Sequence, residues 1–306
     1  MTSRVPDPRR PFGRLLTAMV SPMRADGALD PGGAARLATY LVDEQGNDGL
    51  VINGTTGEAP TTTDAEKEAL LRAVLEAVGD RAHVVAGVGT NDTRHTIELA
   101  RAAEKVGAHG TLVVTPYYNK PPQEGLCAHF TAVADATGLP MLVYDIPHRT
   151  GIPIATETLC RLAEHDRIVG VKDAKASMVD TATVTSRTGL AIYCGDDALT
   201  LPSLAVGAVG IVGTSTHFIG TGTKRMIEAY EAGDVAGALR LHRQLLPLFT
   251  GIFRTQGVIL VKAGLGLLGL PSGPVRLPQV DATGAQIAQL RTDAAAAGVD
   301  LPEPDK

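Results

Sequence analysis

The chain has 306 residues, enough for one large α/β domain or for a domain with an appendage. Its hydrophobic content of 44% is ordinary for a globular core, and its formal net charge of −5 gives no electrostatic footprint for nucleic acid. Three widely spaced cysteines, Cys127, Cys160 and Cys194, form no metal or redox motif and favour a reducing cytoplasm. The apolar run at 15–20 is short and is closed by Pro22, so we expect neither a signal peptide nor a membrane span.

After an N-terminal tail at 1–11, short apolar runs alternate with helical patterns. The segment AEKEALLRAVLEAV at 65–78 places its leucines and valines on one helical face and its charges on the other. Similar patterns cover 93–106, 125–136 and 156–164, whereas the segments at 177–188 and 197–204 are compact. The runs that we interpret as strands are 15–20, 49–53, 83–87, 111–115, 141–145, 168–172, 191–194 and 209–213.

Eight strands with crossover helices predict a (β/α)8 TIM barrel over residues 12–221. A doubly wound open sheet would give the same alternation, because pattern alone does not reveal closure. After about residue 221 the alternation stops, and helical patterns at 224–230, 234–248, 251–268 and 285–297 predict a C-terminal helical domain over 222–306.

One strand, IVGVK at 168–172, ends abruptly in a lysine. In an α/β fold, Lys172 would lie at the carboxyl end of a buried strand, where active sites open. Apolar surroundings lower the pKa of a lysine, and the neutral amine attacks ketones to form a Schiff base. The alternative is that Lys172 only marks the point where a strand meets water.

The other predicted strands end in loops rich in hydroxyls, amides and glycine. These loops include NGTTGE at 53–58, TPYYNK at 115–120, YDIPHRT at 144–150, GDD at 195–197 and GTST at 213–216. In a barrel they would share one rim, where helix N-termini also offer N–H groups to an anion. Their convergence predicts a small anionic carbonyl substrate beside an amine nucleophile.

Other motifs favour structural interpretations. The stretch GLGLLG at 264–269 matches a dinucleotide fingerprint, but it follows the end of the alternation and prolines come after it. Lys262 ends a run, VILVK, whose apolar spacing continues as a helix. Asp196 and Asp197 could bind a cation or cap a helix. The histidines have no paired ligand spacing, so we expect no metal site.

The chain from residue 12 to about 301 resembles the dihydrodipicolinate synthase family, and the detailed sequences of its motifs resemble those of the actinobacterial branch. The matching stretches are GTTGE at 54–58, VTPYYNKPPQEGL at 114–126, YDIPHRTG at 144–151, GVKDA at 170–174, GDD at 195–197 and RLPQV at 276–280. The resemblance implies a homotetrameric lyase of the class I aldolase type. Such an enzyme condenses pyruvate with L-aspartate 4-semialdehyde towards diaminopimelate and lysine, with no cofactor beyond the covalent Schiff base.

The resemblance also implies a role for each matching residue. Lys172 would form the Schiff base with pyruvate, and Tyr144 would be the general acid and base. Thr55 and Tyr118 would relay protons, with Tyr118 coming from a neighbouring subunit. The remaining positions would bind substrate: Thr56 the pyruvate carboxylate, Arg149 the carboxylate of the second substrate, and Gly195 and Val212 the pocket wall.

Three departures from the family pattern leave these groups in place. His148 precedes the arginine, Asp173 replaces a commoner glutamate, and Ala59-Pro60 follows GTTGE. Another pyruvate-dependent class I aldolase, such as an N-acetylneuraminate lyase or a keto-deoxy-sugar acid aldolase, would share the lysine and tyrosine. A silent barrel that acts as a binding protein is the non-enzymatic alternative, and the intact set of groups argues against it.

Feedback-sensitive relatives bind lysine at a dimer interface near the loops after strands two to four. Asn91 and Tyr117, which would contact the inhibitor's carboxylate, are present. Sensitive forms carry histidines at the positions of Asp64 and Lys67 and a glutamate at that of His95. The chain thus loses one counter-charge for a lysine ammonium and gains a like charge near the other. We therefore expect near insensitivity to lysine.

Overall fold

The computed structural model describes residues 9–303, so most of the predicted tail at 1–11 lies outside the described residues. The strands are β1 Leu15–Ala18, β2 Gly49–Ile52, β3 His83–Gly87, β4 Gly110–Val114, β5 Met141–Asp145, β6 Ile168–Asp173, β7 Ala191–Cys194 and β8 Gly210–Gly213. Each pairs in parallel with its neighbours in chain order, and β8 pairs with β1 to close the barrel. The predicted (β/α)8 barrel is confirmed, and the open-sheet alternative is wrong.

Helices surround the barrel and continue beyond it. They are α1 Pro31–Asp43, α2 Asp64–Val78, α3 Thr93–Val106, α4 Gln123–Asp135, α5 Pro147–Thr150, α6 Thr156–Leu162, α7 Met178–Arg187, α8 Thr200–Ala205, α9 Thr216–Glu231, α10 Val235–Gly251, α11 Gly257–Leu267 and α12 Gly284–Ala296. Short 3₁₀ turns occupy Ala59–Thr61 and Asp197–Leu199. Lys262 lies on α11, so its predicted helical setting is confirmed.

Local signals set the helix ends. Thr63 and Glu66 form a reciprocal capping box at the start of α2, which satisfies two of its free N–H groups. The helix α1 is absent from the predicted segments because its opening sequence, PGGAA, has a weak helical pattern. The cap signal was nevertheless present, since Asp30 accepts the N–H of Gly33 and Pro31 occupies the first turn.

The helix that follows the last strand departs most from the sequence prediction. The helical pattern at 224–230 is only the second half of α9, which begins at Thr216 and has a kink at Ile219. Residues 221 and 222, between which the sequence places the domain boundary, lie inside this helix. The division into 12–221 and 222–306 therefore stays a prediction.

The core has two layers. Apolar residues that point inward, including Leu16, Val51, Leu142 and Tyr193, fill the barrel. A larger layer lies between the strands and the helices and extends into the C-terminal helices. Burial on both faces explains why the strands read as continuous apolar runs rather than alternating ones. Within residues 9–303, no helix is long and apolar enough to cross a membrane.

Candidate active site

Lys172 lies on β6 with its side chain inside the rim of the barrel. It pairs in register with Tyr144 on β5, so both side chains emerge on the same side of the sheet. The Lys172 Nζ lies 4.3 Å from the centroid of the Tyr144 ring. Only 6% of Lys172 is exposed, and this burial lowers the pKa of its ammonium to about 8. The alternative of a lysine that merely meets water does not fit this burial.

Burial acts on Tyr144 in the opposite sense. It raises the pKa of the phenol above its ordinary value, while nearby Arg149 and a hydrogen bond with the Thr55 side chain partly oppose the shift. The phenol therefore holds its proton at neutral pH. The neutral fraction of the Lys172 amine and the protonated phenol beside it are the two groups that are required for attack on a ketone.

The loop after β2 carries Thr55 and Thr56 to the cleft. Asn53 and Glu58, at either end of the turn, both have left-handed backbone conformations, with φ of 62° and 58°. The Thr56 Oγ1 lies 3.5 Å from the Thr214 Oγ1 in the loop after β8. These hydroxyls and the turn's N–H groups provide donors suited to a carboxylate.

Arg149 lies on α5, a single turn directly after β5. Its side chain is exposed to solvent at the mouth of the cleft. Its positive charge lies near enough to lower the pKa of both Tyr144 and Lys172. A guanidinium in this position can bind a carboxylate through two parallel hydrogen bonds while it remains exposed to solvent.

A cleft of about 920 Å³ joins these groups. Six of the predicted site residues line it: Thr55, Thr56, Tyr144, Arg149, Lys172 and Gly195. Gly195 lies where two loops approach each other closely. A Cβ at this position would lie 3.0 Å from the Ala174 Cβ, so a glycine fits here best. The C-terminal part of the chain also contributes to the wall, through residues such as Phe253, Gln256 and Gln279.

Two predicted site residues lie outside the lining formed by residues 9–303. Val212 on β8 is buried in the same apolar cluster of the barrel interior as Tyr193 and does not line the cleft. Tyr118 lies in the loop after β4, is 89% exposed and has a left-handed φ of 74°. Within this chain, Tyr118 therefore does not line the cleft that holds Lys172.

Asp197 is a residue of the site that the sequence interpretation missed. Its carboxylate is 1% exposed and accepts the backbone N–H groups of Thr214 at 3.0 Å and Ser215 at 2.6 Å. Its charge favours the protonated forms of both Lys172 and Tyr144. The GDD motif was the available signal. Of the two roles considered for it, capping is confirmed for Asp196, which accepts the N–H of Ala198.

The sequence as a whole matches the model of the dihydrodipicolinate synthetase family over residues 11–297. The chain belongs to this family. It is 72% identical over 288 residues to 4-hydroxy-tetrahydrodipicolinate synthase of the actinobacterium Acidothermus cellulolyticus, covering 94% of this chain and 93% of the relative. It is 64% identical over 294 residues to 4-hydroxy-tetrahydrodipicolinate synthase 2 of Streptomyces coelicolor, covering 96% and 98%. The resemblance predicted from the motifs is confirmed.

Solved structures of the dihydrodipicolinate synthase family have the same fold. The enzyme from Cyanidioschyzon merolae with lysine bound is 44% identical, with a TM-score of 0.92 over 94% of this chain and 98% of that one. Dihydrodipicolinate synthase DapA-2 from Bacillus anthracis is 40% identical, with a TM-score of 0.90 over 93% and 98%.

This synthase family member has a second cavity, of about 410 Å³, beside the first. Tyr144 and Arg149 line both, so only a thin wall separates them. The second cavity is lined by the five residues that the family resemblance matches to the lysine site of feedback-sensitive relatives, Asp64, Lys67, Asn91, His95 and Tyr117, and by the neighbouring Ala59 and Pro60. There the Asp64 carboxylate lies 2.9 Å from the His95 Nε2 and 3.9 Å from the Lys67 Nζ.

Proposed function

We propose that this protein is a 4-hydroxy-tetrahydrodipicolinate synthase, a lyase that condenses pyruvate with L-aspartate 4-semialdehyde. The observation that carries the proposal is the buried Lys172 amine against Tyr144 in an open cleft, in a chain 72% identical to an enzyme of that name. The product belongs to the biosynthesis of diaminopimelate and lysine. The substrates are small molecules, and no nucleic acid or membrane takes part.

The chemistry begins at the Lys172 amine. Its neutral form attacks the ketone carbon of pyruvate, and the carbinolamine loses water to give a protonated Schiff base. Loss of a proton from the pyruvate methyl group then gives an enamine, which attacks the aldehyde of the second substrate. The Schiff base with substrate replaces any separate cofactor, and no metal takes part.

The remaining groups bind substrate and move protons. Tyr144 donates a proton to the carbinolamine oxygen and later accepts a proton back. Thr55 and, from a neighbouring subunit, Tyr118 relay protons between Tyr144 and solvent. The Thr56 hydroxyl and the turn's N–H groups bind the pyruvate carboxylate, while Arg149 binds that of aspartate semialdehyde. Gly195 leaves room for the second substrate, and Val212 supports the floor below. The enzyme would work in the cytoplasm as a homotetramer.

The test is covalent trapping on Lys172. Borohydride with pyruvate should reduce the Schiff base and inactivate the protein, with the adduct on Lys172 in peptide mapping. Lys172→Ala should lose both adduct and activity while remaining folded. Lys175→Ala, which removes another lysine of the same cleft, should still be labelled. An adduct on Lys262, or none, would contradict the mechanism.

An activity assay tests the substrate. Pyruvate-dependent consumption of aspartate semialdehyde is expected, with no comparable turnover of sialic acid or keto-deoxy-sugar acids. Preferential cleavage of either of the latter would assign the chain to another pyruvate aldolase.

A further inference from the structure

A buried ion pair joins the C-terminal helices to the loop that carries Thr55 and Thr56. The Lys262 Nζ on α11 lies 2.5 Å from the Glu58 Oε1, and both side chains are 3% exposed. Lys262 also donates to the Pro274 carbonyl at 2.8 Å. The two residues are more than two hundred positions apart in sequence, so the contact is purely tertiary.

The second oxygen of Glu58 is bound by the same C-terminal region. The backbone N–H of Arg276 donates to the Glu58 Oε2 at 2.8 Å. The Arg276 guanidinium is itself fixed, since it pairs with Glu66 at the start of α2 and donates to the carbonyls of Gly27 and Thr61. Glu58 thus receives one partner from α11 and one from a rigidly anchored segment.

Glu58 in turn closes the substrate turn. Its N–H donates to the Thr55 carbonyl at 3.1 Å, and its own left-handed φ of 58° is unfavourable for a residue with a Cβ. The Ser21 hydroxyl donates to the Gly57 carbonyl at 2.6 Å. The turn is therefore held both by Ser21 and by the partners of the Glu58 carboxylate.

We propose that Glu58 is a positioning residue for the substrate carboxylate. Its ion pair with Lys262 holds the turn in the conformation that presents the donors of Thr55 and Thr56 to the cleft. Glu58 lines the cleft formed by residues 9–303, whereas Lys262 does not. The inference rests on the proposed function, because it assumes that this turn binds the pyruvate carboxylate.

The test uses Glu58→Gln and the double variant Glu58→Gln with Lys262→Met. The single variant leaves the Lys262 charge buried without its partner, so its melting temperature should fall. The double variant removes both charges and should fold even if the single variant does not. In each folded variant, we expect the KM for pyruvate to rise about tenfold, and the pyruvate concentration that half-saturates borohydride trapping to rise equally. A change of this size is expected because a hydrogen bond to a charged group would be misplaced. The KM for aspartate semialdehyde should stay within about twofold.

Asp293→Asn is the matched control. Asp293 is buried in α12 and pairs with Arg254, and neither residue lines the cleft formed by residues 9–303. The Asp293→Asn variant should have a lower melting temperature and an unchanged KM for pyruvate. An unchanged pyruvate KM in the folded double variant, or an equal rise in Asp293→Asn, would overturn the proposal.

Failure of the proposed function would appear instead in the unsubstituted protein, which would then not consume aspartate semialdehyde. In that case borohydride trapping with pyruvate would still measure how the Glu58 variants change pyruvate binding. If the unsubstituted protein traps no pyruvate, both proposals are wrong.

Discussion

At the scale of single residues, one physical cause prepares both partners of the proposed reaction. Burial penalises charge, so it lowers the pKa of Lys172 and raises that of Tyr144. With a pKa of about 8, roughly a tenth of the Lys172 side chains are neutral at pH 7, far more than for a lysine in water. The buried Asp197 limits the effect on lysine, because its charge favours the ammonium.

This shift predicts the pH dependence of the first chemical step. The kcat/KM for pyruvate should increase as pH rises through about 8, because the reactive form of Lys172 is the neutral amine. Steady-state rates across pH 6 to about 10 would measure the inflection.

Arg149 provides the control for this prediction. Its charge lowers the pKa of Lys172, so Arg149→Met should move the inflection to higher pH as well as weaken binding of the second substrate. An inflection near the ordinary lysine value, or one that does not move in Arg149→Met, would contradict the assigned cause.

At the scale of elements, the loops after β2 and β3 and the first turns of α2 and α3 build the second cavity. The cap of α2 is Thr63, so Asp64 is free of that role and instead contacts His95 and Lys67. Lys67 also donates to the Thr62 carbonyl, and burial lowers the pKa of its ammonium. A ligand ammonium would meet a carboxylate that already has two basic neighbours.

We therefore predict that L-lysine hardly inhibits this protein. The expected result is little loss of activity at concentrations that shut down sensitive relatives, because Asp64 is occupied and Lys67 repels a second cation. An activity titration at neutral pH, with calorimetry, measures it. His95→Glu restores a counter-charge and should increase the sensitivity. Strong saturable inhibition in the unsubstituted protein, lost in Tyr117→Ala, would contradict the prediction.

At the scale of the whole molecule, Tyr118 is a predicted catalytic residue that does not line the cleft of its own chain. A large aromatic side chain that is 89% exposed, on a backbone with φ of 74°, suits a contact made by a second chain. Under the proposed function that contact would be catalytic, because only an assembly would complete the proposed proton relay from Tyr144 through Thr55.

Mixed oligomers test this shared site. Lys172→Ala and Tyr118→Phe proteins should each be nearly inactive alone. After subunit exchange, activity should return, because some sites receive an intact Lys172 from one chain and an intact Tyr118 from another. Exchange has to be verified, for example by native mass spectrometry of differently tagged chains. No recovery after verified exchange would place Tyr118 in its own subunit's site or outside catalysis.

The sequence by itself determined the order of the eight strands and of most of the helices between them. Strands buried on both faces read as short apolar runs, and strand ends mark the active rim of an α/β fold, so Lys172 could be proposed from its position and Tyr144 from the family motifs. The extent of α9 and the presence of α1 could not, because weak local propensity was overridden by tertiary packing.

Only the tertiary structure decided which charges meet. Asp197 and Thr214 are brought together across neighbouring strands, and Glu58 and Lys262 across the whole chain. Such contacts leave no periodic signal, because an ion pair requires proximity in space and not a fixed separation in sequence. Closure of the barrel was likewise decided by the pairing of β8 with β1, which places the loops that follow the eight parallel strands at one rim.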